Sequence, residues 1–274
     1  MTDVTKTLPT LGTVVCAVDG SSTSRSVLYT AAGFANHHLS RLVVLRVDDR
    51  GGMDEADVTA ATSALQELVN SSIPGHLAYR DGTELLVRTG DTADTILDVA
   101  RAKDATLLVV GTRARGSLGR AIFGSTTSAV LAGATMPVAV VPPAADEVIS
   151  IEDTSVPHFG VIVVALDLGS RAERQMHVAA TLSTASRHRL LLLHVASGET
   201  DHAHAEERMA ALARGVESAH GERMLVKEGQ VVDTIAAVAR KVGSGLIILG
   251  RDRTSAGVIA CELVRQTSAL VVVA

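Results

Sequence analysis

One segment of the chain is written twice. Gly90 to Gly111 returns as Gly229 to Gly250, with Asp94-Thr95-Ile96 matched by Asp233-Thr234-Ile235 and Val99-Ala100-Arg101 by Val238-Ala239-Arg240. A duplication limits the fold to a unit that can be made twice, and the pattern around the repeat says which unit. In the first half, strands are expected at Thr13–Val18, Leu42–Val47, Glu84–Arg88, Thr106–Val110 and Val138–Val141. Between them, helical spacing covers Ser24–Asn36, Asp54–Asn70, a segment from Gly90-Asp91 through Lys103, and Ser125–Gly133. In the second of these helices Val58, Ala61, Leu65, Leu68 and Val69 are expected to face inward. The order then restarts: Val161–Leu166 ends at Asp167 as Thr13–Val18 ends at Asp19, and Leu190–Val195 answers Leu42–Val47. Alternating strands and helices with right-handed crossovers make parallel sheets covered on both faces. Ligands of such sheets sit beyond the carboxyl ends of the strands, where the strand order reverses.

The chain of 274 residues therefore reads as a domain at 1–143, a polar, proline-bearing linker at 144–157 and a second domain at 158–274. Hydrophobic residues make up 47% and aromatics only 2%, so two cores must be built from Val, Leu, Ile and Ala. A net charge of −5 and the lack of an aromatic-basic platform argue against a nucleic-acid partner. No segment has the length of a membrane span, and Met-Thr-Asp-Val-Thr-Lys is not the start of a signal peptide, so a cytoplasmic protein is expected. Cys16 and Cys261, each in an apolar run, are expected to be buried free thiols.

The stretch that points to chemistry follows Thr106–Val110. It reads Gly111-Thr-Arg-Ala-Arg-Gly-Ser-Leu-Gly-Arg-Ala-Ile-Phe and then Gly124-Ser125-Thr126-Thr127, which opens a helix. Strand, glycine-rich loop and helix start are the parts of a phosphate site, because the first amides of a helix are free and its dipole favours an anion there. Arg113, Arg115 and Arg120 add positive charge where a triphosphate would lie. No Gly-Lys-Ser/Thr follows the glycines, so this is not a Walker loop. The plainer reading is a connection whose glycines only make turns. The stretch resembles the signature of the universal stress protein family, Gly-x2-Gly-x9-Gly-Ser/Thr, with Gly111 first and Gly124-Ser125 last. The middle glycine falls on Ala114; a positive φ there would cost about 1 kcal/mol unless Gly116 or Gly119 takes the turn.

The resemblance to tandem members of this family covers nearly the whole chain. It implies an α/β protein of two tandem Rossmann-like (adenine nucleotide alpha hydrolase-like) domains, each a five-stranded parallel sheet of order 3-2-1-4-5, with the crevice between the ends of strands one and four. It also implies a regulatory role in stress response and ATP as ligand, with or without Mg2+. By the resemblance Asp19 and Val47 lie against adenine and ribose, Val110 and Gly111 line the ribose and phosphate side, Ala114 sits in the loop, and Gly124, Ser125 and Thr126 hold the phosphates. Each has a plainer role as well: Asp19 as a helix cap, Val47 and Val110 as core, the arginines as solvated surface. The resemblance further implies that the halves pack as an intramolecular pseudo-dimer. Val138–Val141 and Leu270–Val273 would be aliphatic edges in need of cover. Nothing in the sequence marks a second interface for a homodimer.

The two halves are not equivalent. Gly111 and Gly250 align with an offset of 139, but Thr135–Val141 and Thr267–Val273 with an offset of 132, so seven residues are missing from the second half between its fourth strand and last helix. The phosphate loop falls in that gap, and a single nucleotide site, in the first half, is expected. Catalysis has no candidate. The ten His show no metal-ligand spacing, no Ser/His/Asp set appears, and an adenylating enzyme would need a lysine that the loop lacks. At most slow ATP hydrolysis is expected, and the alternative function is a scaffold of the same family that binds no nucleotide.

Overall fold

The computed structural model describes residues 11–49, 51–73, 83–115, 120–122, 124–143, 159–184, 188–196, 198–214, 222–251 and 256–274. The first half runs β1 (Thr13–Val18), α1 (Ser24–His37), β2 (Arg41–Asp48), α2 (Glu55–Ser72), β3 (Thr83–Thr89), α3 (Thr92–Ala102), β4 (Ala105–Gly111), β5 (Arg113–Arg115), β6 (Arg120–Ile122), α4 (Ser125–Gly133) and β7 (Val138–Val141). The second runs β8 (Val161–Ala165), α5 (Ala172–Thr184), β9 (Arg189–Ala196), α6 (Glu199–Arg214), β10 (Glu222–Glu228), α7 (Val231–Val242), β11 (Leu246–Leu249), α8 (Ala256–Gln266) and β12 (Leu270–Val273). The sequence between them at 144–157 lies outside the described residues.

Leaving aside the short β5–β6 pair, the strands of each half follow the order 3-2-1-4-5, and the two sets join into one sheet of ten, β10-β9-β8-β11-β12-β7-β4-β1-β2-β3. Neighbours are parallel except at the join, where β7 and β12 are antiparallel with Val138 opposite Val273, Ala139 opposite Val272 and Val140 opposite Val271. The long strands are short aliphatic runs because both faces are buried. Alternate residues serve the two faces: Val14, Cys16 and Val18 enter one core with α1, α2, α5 and α6, and Val15 enters the other with α3, α4, α7 and α8.

The sequence repeat has a physical cause. Gly90 (φ 139°) and Gly229 (φ 136°) end β3 and β10 in a conformation closed to other residues, and a Cβ at either would lie 2.9 or 2.8 Å from the Oγ1 of Thr95 or Thr234. Glycine, threonine and the following buried isoleucine are therefore retained together at the start of α3 and of α7. Two local expectations are corrected. The stretch read as a loop after β4 contains an antiparallel strand pair, with Arg113 opposite Ile122, Ala114 opposite Ala121 and Arg115 opposite Arg120. In α2 only Leu65 and Val69 of the five apolar residues are buried; Val58 is exposed. Cys16 is buried, Cys261 only partly, and neither is in a disulfide.

Candidate functional site

A cavity of about 470 Å3 opens beyond the carboxyl ends of β1 and β4, where the order of the sheet reverses. Of the residues singled out in the sequence, Asp19, Val47, Val110, Gly111, Gly124, Ser125 and Thr126 all line it. Ala114 is in β5, paired with Ala121 through the backbone. The side chains of Ala114, Arg113, Arg115 and Arg120 lie outside the described residues.

The cavity has two chemically distinct ends. At the β1–β2 end stand Asp19, Asp48 and Asp49 with Arg46. Asp19 is not the cap residue of α1, which is Thr23; its Oδ1 accepts from the Ser21 amide (2.9 Å) and the Ser24 hydroxyl (3.2 Å), fixing the turn between β1 and α1. Gly20 at φ 79° and a bond from its amide to Ser24 Oγ (3.0 Å) complete that turn. Asp19 thus fixes this turn, in place of the helix cap foreseen for it, and also stands in the cavity wall.

At the β4 end the wall is the start of α4. Gly124 is the cap position, with extended dihedrals and no side chain to reach the first amides, and the first helical turn carries no acid. By contrast α2 opens with a capping box from Asp54 and Asp57, and α3 with Asp91 accepting from the amides of Ala93 and Asp94 (3.0 Å each). The intrahelical ladder of α4 begins with Ser128 donating to the Gly124 carbonyl, so the amides of Ser125, Thr126 and Thr127 precede it. Thr127 Oγ1 donates to the Gly111 carbonyl (3.0 Å), which fixes the helix start against the end of β4. Gly111 must lack a side chain, since a Cβ would come within 2.8 Å of the buried Val27. A half-enclosed cavity with an acidic end and an uncapped helix start can take a ligand with hydroxyl or amino donors at one end and anionic oxygens at the other.

Sequence reasoning missed what replaces this arrangement in the second half. Around the first turn the halves align as Asp19 with Asp167, which places Val27 opposite Gln175. Gln175 is fully buried, and its Nε2 donates to the carbonyls of Ala165 (2.6 Å) and Ile248 (3.1 Å), at the ends of β8 and β11. Its Oε1 lies 3.1 Å from where a Cβ on Gly250, the partner of Gly111, would be. The side chain therefore occupies the crevice that stands open in the first half. Asp167 keeps only the turn, its Oδ1 accepting from the Gly169 amide (3.0 Å), and Leu168 adopts the positive φ (60°) of Gly20. Arg46 was the visible hint of a site residue: a charge inside the aliphatic run of β2.

Residues 10–142 match the universal stress protein family. No curated protein matches the chain significantly. Among solved structures, a universal stress protein from Archaeoglobus fulgidus is similar over 95% of this chain and 97% of its own, at 16% identity and a TM-score of 0.70. A putative universal stress protein from Pseudomonas aeruginosa is similar over 96% and 92%, at 17% identity and 0.67. A universal stress protein from Archaeoglobus fulgidus in complex with dAMP is similar over 48% of this chain and 96% of its own, at 26% identity and 0.37. The first two carry the tandem fold across both halves, and the matched residues 10–142 hold β1 to β7 and the whole cavity: the first half of the chain belongs to the universal stress protein family.

Proposed function

We propose that this protein binds an adenine nucleotide, ATP, in the cavity of its first half, and that it acts as a regulatory stress protein of the cytoplasm with no dedicated catalytic apparatus. The observation that carries this reading is the start of α4: an uncapped helix with no acid in its first turn, facing a cavity between the reversal-point strands. The acidic residues at the other end, Asp19 above all, suit ribose hydroxyls and the amino group of a base. Among the described residues no group of three or more His, Cys, Asp or Glu could hold a metal. Mg2+ would therefore arrive on the phosphates with its own waters, with Ser125 and Thr126 as the nearby hydroxyls.

In this reading 1–143 and 158–274 are the two domains, packed as a pseudo-dimer, and only the first binds nucleotide. Gln175 in the second crevice, in addition to the seven missing residues, supports that asymmetry. The test is direct: purified protein is heat-denatured, and released nucleotide is identified by chromatography. Calorimetry with ATP then compares the parent with Gly124→Val, which adds bulk at the cap where a Cβ meets no atom within 4 Å, so the fold survives. ATP bound by the parent and lost by the variant is expected. No nucleotide released and no ATP affinity would favour the scaffold reading.

A further inference from the structure

The second half reaches across to the far end of the helix that starts the candidate phosphate site. Arg251 follows β11 and Gly250, at the position that Thr112 holds in the first half. Its Nη1 donates to the carbonyls of Leu131 (3.0 Å) and Ala134 (2.5 Å), and its Nη2 to that of Met136 (2.8 Å): the last turn of α4 and the link to β7. Arg174, from α5, donates through Nη2 to the carbonyl of Thr135 between them (2.6 Å). Arg171 donates through Nη1 to the carbonyl of Arg251 itself. Burial first, and then the neighbouring charges of Arg174 and Arg171, push the Arg251 guanidinium below its ordinary pKa, and its Nε is buried without a partner. A half-buried guanidinium among like charges is an unfavourable arrangement unless its bonds to α4 compensate for it.

Three of the positions that line the open cavity, Thr23, Val27 and Thr112, are matched by Arg171, Gln175 and Arg251. Gln175 fills the second crevice; Arg251 braces the end of α4, and Arg171 holds the Arg251 carbonyl. α8 packs against both α4 and β6 of the first half. Carbonyls at a helix C-terminus carry its negative end, so cations there complement the dipole whose positive end faces the cavity.

We propose that the second half is a positioning subunit for the first, with Arg251 and Arg174 holding α4 so that its free amides stay aimed at the phosphates of the bound nucleotide. The inference rests on the nucleotide reading above. Arg251 touches no ligand; it acts through a helix of nine residues, about 14 Å long. Because only the phosphates meet α4, loosening the helix weakens phosphate-bearing ligands and spares the rest of the nucleoside.

Calorimetry with ATP and with adenosine on the full chain separates the cases. The parent is expected to prefer ATP. Arg251→Ala should lose about tenfold in ATP affinity and keep its adenosine affinity, with Arg251→Lys in between and Arg174→Ala showing a smaller loss of the same kind. If Arg251→Ala keeps the parent's preference for ATP, or loses both ligands in equal proportion, the brace does not position the site. A parent that binds neither ligand overturns this inference and the nucleotide reading together. If Arg251→Ala does not fold, Arg174→Ala and hydrogen exchange on the parent decide: ATP should slow exchange of the amides in 249–251, and unchanged exchange there sinks the proposal.

Discussion

Gly124 concentrates the conflict between stability and binding in one residue. It holds the cap position of α4 at φ −75° and ψ 160°, where any residue fits, and a Cβ there meets nothing within 4 Å. A residue with a side-chain acceptor would satisfy the first amides and steady the helix, yet the position is glycine, which leaves them to something else. Gly124→Asp should therefore raise the melting temperature slightly, from about 0.5–1 kcal/mol of capping and dipole energy. The same change should cost at least about tenfold in ATP affinity, because a carboxylate then occupies the proposed anion site. A melt and a titration on one preparation check both signs; a stabilised variant with unaltered ATP affinity would move the phosphates away from α4. His38 is a second residue whose environment makes a prediction. It follows α1, is buried, and has an Nε2 without a partner; burial, and next the charge of His37, lower its pKa from 6.5 to about 4. The folded protein thus resists a proton that the unfolded chain accepts. The contribution of the neutral ring is complete above pH 6.5 and is lost as pH falls from there toward 4. Urea unfolding at pH 7 and pH 5 should show a fall on the order of 1–2 kcal/mol assignable to this residue, and His38→Gln should flatten the difference by that amount.

At the scale of elements, the long strands were legible because each is a run of β-branched or aliphatic residues buried on both sides, and the helices because of their caps and spacing. Asp91 beginning α3 is an example of a cap that both sequence and structure show. The β5–β6 pair was not legible: Arg-Ala-Arg and Arg-Ala-Ile carry no aliphatic run, and only pairing makes them strands. Val58 was misread because spacing reports a face without reporting what stands opposite it; α2 packs on α1 and the outermost strand β3, and its first residues, 55–60, are all exposed. The missing seven residues were visible in the alignment, but the use of Gln175 and Arg251 was not, since it depends on strand ends and on a helix of the other half. The comparison of α1 with α5 gives an element-level test. Val27→Gln puts into α1 the amide that α5 carries at Gln175, within reach of the carbonyls at Ala17 and Val109 that correspond to Ala165 and Ile248. The expected result is a protein that melts cooperatively and whose ATP affinity has fallen by an order of magnitude or more, because the crevice between β1 and β4 is filled. Unchanged affinity by calorimetry would mean that a nucleotide binds elsewhere.

Taken whole, the molecule is a sheet whose edges are of two kinds. The outer strands carry charge, Glu84 and Arg88 on β3 and Arg223, Lys227 and Glu228 on β10, as exposed edges do when they must not pair with another chain. β7 and β12 are Val-Ala-Val-Val and Leu-Val-Val-Val, without a charge, and every residue of both is buried. Both cores continue across this seam, and Phe34 of α1 stacks on Phe159 of the second half with ring centroids 5.5 Å apart. The seam therefore has the character of a domain interior, and the two edge types should respond oppositely to the same substitution. Met224→Lys, on β10 where the side chain is 48% exposed, should leave the melting temperature within about 1–2 °C of the parent. Val272→Lys, at a fully buried position opposite Ala139, places an unpaired ammonium in the apolar core on one face of the sheet. It should cost more than about 3 kcal/mol and lower the midpoint by on the order of 10 °C, or abolish the cooperative transition. Because the same seam sets the distance from Arg251 to α4, a Val272→Lys protein that still folds should also lose its preference for ATP over adenosine. Two variants with equal melting temperatures would show that the halves do not depend on their junction, and the brace on α4 would then have no rigid base.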